Sequence, residues 1–208
     1  MDGIVAIRRY DVTITGFANH AGTTPMGERQ DALVAASELI LAVRAVAISR
    51  PGRHVGTVGR LDVLPNSPNV IPGRVTLSVE LRDLSETVLA QLFADIQARG
   101  RQIAEQTRTE ISMELASRNP PALTHTAVQR AIDRAAERRA LSSRHLPSGA
   151  GHDAQMIAAL CPMGMIFVPS VGGISHSPRE LTTWADCARG AAVLADVILE
   201  LDASDTIA

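Results

Sequence analysis

Arg74-Val75-Thr76-Leu77-Ser78-Val79-Glu80-Leu81-Arg82 alternates without a break, with Val75, Leu77, Val79 and Leu81 on one face and Ser78, Glu80 and Arg82 on the other. A period of two marks a strand with one buried and one solvated face. Upstream, Val55 to Val63 is β-rich, and the turn cluster Asn66-Ser67-Pro68-Asn69 separates the two strands. Earlier still, Glu28 to Ile48 carries Leu33, Ala36, Leu39, Ile40, Val43 and Val46 at helical spacing, and Arg50-Pro51-Gly52 stops the helix. Tyr10 to Thr15 alternates and ends at Gly16. Downstream, Ser85 is placed as the N-cap of a second helix reaching about Thr107, and Glu110 to Ala116 alternates again before Asn119-Pro120-Pro121.

The order from Tyr10 to Ala116 is therefore βαββαβ, which points to a ferredoxin-like sandwich with two helices on one face of an antiparallel sheet. The remainder reads as a helix (Thr126 to Ala140), a short helix (His152 to Leu160), a buried strand (Met163 to Val168) and a long helix (Thr183 to Leu201). One strand cannot make a sheet, and Met1 to Arg8 supplies a second candidate. The expected organisation is a small α+β domain inserted into a larger α/β domain, much of which is absent: 1–9, 10–118 and 119–208.

The 208 residues are 46% hydrophobic but only 2% aromatic, so the core must be built from Ala, Val, Leu and Ile. Every basic residue is arginine, and the net charge of -2 argues against a general nucleic-acid binder. No apolar run approaches the roughly 18 residues of a membrane span. The opening Met1-Asp2-Gly3-Ile4-Val5-Ala6-Ile7 carries no basic leader, and Cys161 and Cys187 stand alone. A cytoplasmic, soluble protein that contacts neither membrane nor nucleic acid is expected.

Several residues can carry chemistry. His20 and His176 each sit in a loop of small residues that leaves the imidazole uncovered. Taken singly, each also reads as a turn or capping histidine. Asn69 lies in a turn cluster, where asparagine is common for conformational reasons. Arg82 falls on the polar face of its strand: it can present a bidentate fork to a carboxylate, remain solvated, or pair with Glu80 or Asp83. Pro147-Ser148-Gly149-Ala150-Gly151-His152-Asp153 leads small residues into a helix, either as an anion cradle or as a tight turn. No HExxH pair, GxSxG, P-loop or GxGxxG occurs.

Taken in order, Arg8-Arg9-Tyr10, Gly16 to Met26, Pro65 to Gly73, Arg82-Asp83, Ser148 to Ala154 and Gly173 to Pro178 resemble the carboxyl-terminal half of the amidase/hydantoinase/carbamoylase family. That group includes carbamoylases and allantoate amidohydrolases, within the superfamily of dinuclear-metal aminopeptidases and aminoacylases. The resemblance implies a phosphorylase/hydrolase-like three-layer α/β/α catalytic domain with two zinc or manganese ions. It also implies an inserted lid, Tyr10 to about Ser117, through which a homodimer forms. His176 is then a metal ligand, and His20, Asn69 and Arg82 bind a small carboxylate bearing a carbamoyl or ureido group. The Gly149 and Gly151 loop lines the pocket, and His20 can serve the partner's site.

The family's other metal ligands and its general-base glutamate have no counterpart here, whereas a catalytic zinc takes about three protein ligands. The expectation is a truncated metal-dependent amidohydrolase that is silent alone. The alternatives are an inactive lid-derived dimerisation or small-ligand-binding module, or an aminoacylase or peptidase of the same superfamily.

Overall fold

In the computed structural model, which describes residues 1–203, the elements run β1 (Gly3–Ile4), β2 (Ala6–Thr15), α1 (Ala32–Ile48), β3 (Val55–Leu64), β4 (Arg74–Asp83), α2 (Glu86–Thr107), β5 (Glu110–Asn119), β6 (Ala122–Leu123), α3 (Thr126–Arg138), β7 (Pro147–Ser148), α4 (Asp153–Ile157) and α5 (Trp184–Asp202). The last predicted segment continues through 204–208, which lie outside the described residues. Two compact units emerge, Ala6–Pro121 on the one hand and Met1–Val5 with the chain from Ala122 on the other.

Unit Ala6–Pro121 is a four-stranded antiparallel sheet of order β3-β4-β2-β5, reached through a βαββαβ sequence. The alternation of β4 is realised in full, with Val75, Leu77, Val79 and Leu81 all buried. They join Tyr10, Val12 and Ile14 of β2 in one core with Leu39 and Val43 of α1 and Leu89, Leu92 and Ile96 of α2. Both helices therefore cover the same face. Burial of each such side chain stabilises by roughly 1.5–3 kcal/mol. The rings of Tyr10 and Phe93 stack with centroids 3.7 Å apart. On the opposite face β4 carries Thr76, Ser78, Glu80 and Arg82.

Local chemistry sets the boundaries. The first helix begins at Ala32 rather than Glu28, because the Asp31 carboxylate accepts from the amides of Leu33 and Val34 at 2.9 and 3.2 Å and caps it there. Met26–Glu28 instead forms a short 3-10 turn. Ser85 caps α2 as expected, accepting from Val88 at 3.3 Å. β2 starts four residues before Tyr10, and β5 runs on to Asn119, past Ala116, because the two pair with each other through a bulge at Arg9/Tyr10.

In the other unit, β1 pairs antiparallel with β6 and parallel with β7, giving a three-stranded sheet of two-residue strands. α3 packs on α5 through Ala131, Ala135, Val193 and Val197. Arg134 and Arg138 both bind Glu200, and Arg139 grips Asp196 with bonds of 2.7 and 2.8 Å. The buried strand expected over Met163 to Val168 does not form. Met163 is buried and its carbonyl accepts from the His125 amide at 2.8 Å, but no ladder follows. An apolar run becomes a strand only beside a partner, and among the described residues none lies alongside it. The short helix shrinks to Asp153–Ile157. Among the described residues no helix is long and apolar enough to cross a membrane.

Candidate substrate-binding site

Two glycines draw the His20 loop against the Asn69 loop. The Gly16 amide donates to the Gly73 carbonyl at 2.8 Å and the Phe17 amide to Gln30 at 2.9 Å. A Cβ on Gly16 would lie 2.0 Å from the Gln30 carbonyl oxygen, and one on Gly73 would lie 2.9 Å from the Ala18 nitrogen. Only glycine permits this approach. Beyond it the loops pair backbone to backbone: Ile71 donates to Asn19 at 2.8 Å, Ala21 to Asn69 at 3.0 Å, and His20 opposes Val70 in an isolated bridge. His20 and Asn69, far apart in sequence, are thereby brought together, and both are exposed.

The His20 ring is oriented by its own loop. The Gly22 amide donates to Nδ1 at 3.0 Å, so in the neutral imidazole the proton sits on Nε2. Thr24 Oγ1 donates to the His20 carbonyl at 2.8 Å, and Arg29 ties the loop down through the carbonyls of Ala21 at 2.6 Å and Thr24 at 3.2 Å. Asn69 Oδ1 accepts from Ser67 Oγ at 2.7 Å. Each side chain is thus held by a partner in its own loop, and the two loops are joined through their backbones.

Arg82 stands elsewhere. The two loops leave the sheet at its Thr15/Arg74 end, whereas Arg82 sits at the other end, opposite Ile7. Eight residues of strand separate Arg74 from Arg82, roughly 26 Å at about 3.3 Å per residue. Arg82 donates from Nε and Nη2 to Oε1 of Glu80 at 2.8 and 2.7 Å, and Arg9 donates to Oε2 at 2.5 Å. Burial works to raise the Glu80 carboxyl, but the hydrogen bonds from Arg9 and Arg82, with their charge, outweigh it and hold the group below the usual carboxylate range.

Gly149, Gly151 and His176 belong to the other unit. Gly149 and Gly151 lie between β7 and α4, where Ser148 Oγ bonds His152 Nε2 at 2.7 Å and the Ala150 carbonyl at 3.0 Å. A Cβ on Gly149 would meet nothing within 4 Å, so its own packing does not demand glycine. His176 holds a left-handed backbone, φ 56°, and its amide donates to Glu180 at 2.7 Å. Among the described residues no group of three or more His, Cys, Asp or Glu side chains is placed to hold a metal ion. A dinuclear centre does not fit this donor set, with His176 its lone predicted ligand.

The Arg29 anchor and the Ser148–His152 bond had no sequence signal beyond loop proximity. Glu80 as the hub of two arginines was half visible in the parity of β4, which put Glu80 and Arg82 on one face.

The model of the peptidase family M20/M25/M40 matches residues 14–200. The chain belongs to that family. The N-carbamoyl-L-amino acid amidohydrolase of Geobacillus stearothermophilus is 41% identical over 199 residues, covering 96% of this chain and 48% of the relative. The allantoate amidohydrolase of Escherichia coli is 36% identical over 201 residues, covering 97% and 49%. A crystal structure of an amidase of the hydantoinase/carbamoylase family from Burkholderia multivorans superposes with a TM-score of 0.88 at 38% identity, covering 96% of this chain and 48% of that one. The resemblance read from the sequence holds, and the mixed α/β fold, with two sheets and five helices among the described residues, is similar to the matched half of that amidase. The chain spans about half the length of the relatives it matches.

Proposed function

We propose that this chain is part of an amidohydrolase that cleaves a carbamoyl or ureido C–N bond in a small carboxylate, such as an N-carbamoyl-L-amino acid or allantoate. The observation that carries this reading is the backbone pairing of the His20 and Asn69 loops, which brings an exposed imidazole with an oriented Nε2–H and an exposed asparagine into neighbouring positions. His20 and Asn69 bind the carbamoyl oxygen and oppose the charge that develops on it as the carbonyl becomes tetrahedral. Arg82 holds the substrate carboxylate, and the Gly149–Gly151 loop lines the pocket. In the family reading two divalent ions, zinc or manganese, supply activated water when bound, with His176 as a ligand. The described residues do not form that centre by themselves, so this chain contributes binding and orientation.

The sheet unit is then a ferredoxin-like lid, and the other unit is the carboxyl-terminal part of a three-layer α/β/α catalytic domain. Two copies pair through the lid. Three facts support this. Val34, Leu41 and Ile48 recur every seven residues along α1 and are 49%, 66% and 67% exposed, a helix seam without a partner in one chain. β3 is an edge strand that exposes Val55, Leu61 and Leu64. The roughly 26 Å of strand between Arg74 and Arg82 keeps one small substrate from touching both His20 and Arg82 of the same chain, so a second copy completes the site. A cytoplasmic setting goes with two unpaired cysteines, Cys161 and Cys187.

The test is a chimera in which these 208 residues replace the matched half of the Geobacillus enzyme. Ammonia release from an N-carbamoyl-L-amino acid, dependent on manganese or zinc and lost on His20→Ala, is expected. The isolated chain is expected to release none. A chimera that folds and loads metal but turns over only N-acyl substrates would move the assignment to an aminoacylase or peptidase. One that folds, loads metal and turns over nothing would leave a binding or dimerisation module.

A further inference from the structure

We propose that Glu80 is a positioning residue for Arg82, fixing the plane of its guanidinium on the open face of the sheet before a substrate carboxylate arrives. This rests on the reading of Arg82 as the carboxylate clamp. Glu80 Oε1 accepts both Nε and Nη2 of Arg82, at 2.8 and 2.7 Å, so the guanidinium is held by two bonds along one edge and cannot swing about χ4. Oε2 is occupied by Arg9 at 2.5 Å, which stops the carboxylate itself from turning. Register makes the arrangement necessary: Arg9 is the direct cross-strand partner of Glu80, and Arg82, two residues along β4, shares its face. Of the three side chains Glu80 is the least exposed, at 19% against 31% for Arg82 and 50% for Arg9.

The charges decide why two arginines are present. A lone carboxylate bound to Arg82 would orient it but cancel its charge, leaving little to attract a second carboxylate. With Arg9 the trio carries a net charge of about +1, so Arg82 is held still while the site remains attractive to an anion. An unrestrained arginine would lose its rotamer freedom on binding, and pre-ordering by Glu80 removes that cost from the binding step.

The experiment uses the chain as it stands, with N-carbamoylglycine and its amide as probes, read by NMR of the arginine Nε–H groups. In the wild type the Arg82 Nε–H is expected as a resolved, slowly exchanging signal that shifts with N-carbamoylglycine and not with the amide. Glu80→Gln is expected to collapse that signal, weaken N-carbamoylglycine about tenfold and erase the preference over the amide, while far-ultraviolet circular dichroism is unchanged. Glu80→Asp, which keeps the charge but shortens the reach, is expected to recover part of each effect. Wild-type affinity and an unaltered Arg82 signal in Glu80→Gln, or in Glu80→Asp should the first fail to fold, overturns the proposal and leaves Arg82 as the clamp. A wild type that does not distinguish N-carbamoylglycine from its amide removes the clamp itself, and Glu80's role with it.

Discussion

The amide of Gly22 points at Nδ1 of His20 from 3.0 Å, so a residue with no side chain sets which imidazole nitrogen carries the proton. The His20 ring is expected to show the Nε2–H tautomer in long-range ¹⁵N–¹H spectra. Gly22→Pro removes the donor and is expected to mix the tautomers. In the chimera, loss of the oriented donor by His20→Ala is expected to lower turnover by roughly 100-fold or more with the melting temperature unchanged, since His20 is exposed.

Gly16→Ala tests how the two loops are held. Its methyl would fall 2.0 Å from a backbone carbonyl that cannot move without carrying the start of α1 with it. A loss of about 1–3 kcal/mol is expected in urea unfolding, with amide exchange accelerated at Ala21 and Ile71, the two donors that join the loops. Unchanged protection at both amides would mean that the loops associate without this contact.

Acid titration has a defined sign. The Glu80 carboxyl lies below its ordinary value of 4.5 in the folded chain. Its stabilisation is therefore complete above the unfolded value and is lost as pH falls through the depressed folded one. Asp196, held by Arg139, and Glu200, held by Arg134 and Arg138, act in the same direction. Urea midpoints from about pH 7 to about pH 3 are expected to drop below about pH 4.5, and less steeply in Glu80→Gln.

Asp31→Ala removes the cap of α1, at a cost of about 1 kcal/mol. Leu77→Ala empties a fully buried position in β4 and is expected to cost about 2–5 kcal/mol. The two differ in mechanism as well as size. The first should fray Ala32 to Ala35 in amide exchange, whereas the second should lower the global transition.

Leu41→Glu addresses the seam on α1. Light scattering is expected to show a dimer in the wild type and a monomer in Leu41→Glu, with helix content retained, because Leu41 touches solvent rather than core in the single chain. A wild-type monomer at micromolar concentration would remove the shared-site reading.

What the sequence made legible followed from burial. β4 alternates because one face is dry and the other wet, and that pattern placed Arg82 and Glu80 on the same side before any coordinates. The same logic failed at Met163 to Val168, which is as apolar as a strand yet has no neighbour to pair with. Composition reports what a segment can bury, and pairing depends on what lies beside it. The start of α1 differs for a local reason: Glu28 to Gln30 are polar residues on which the apolar spacing, beginning at Leu33, is silent, and the Asp31 cap excludes them. At the site, His20 and Asn69 were visible as residues but their union was not. It depends on two glycines whose neighbours, Gln30 and Ala18, no periodicity could reveal.

The pairing of Ile4 with Ala122 carries a consequence for the order of folding. A contact between residues so far apart in sequence would by itself be slow to find, because the intervening chain must first close a long loop. Here the ladder between β2 and β5 sets Ile7 opposite Asn119, so once the four-stranded sheet has condensed, the two ends of the insert already lie side by side. The nucleus is therefore expected within Ala6–Pro121. Core substitutions such as Leu77→Ala should slow refolding of the whole chain, while changes at Ile4 or Ala122 should mainly hasten unfolding.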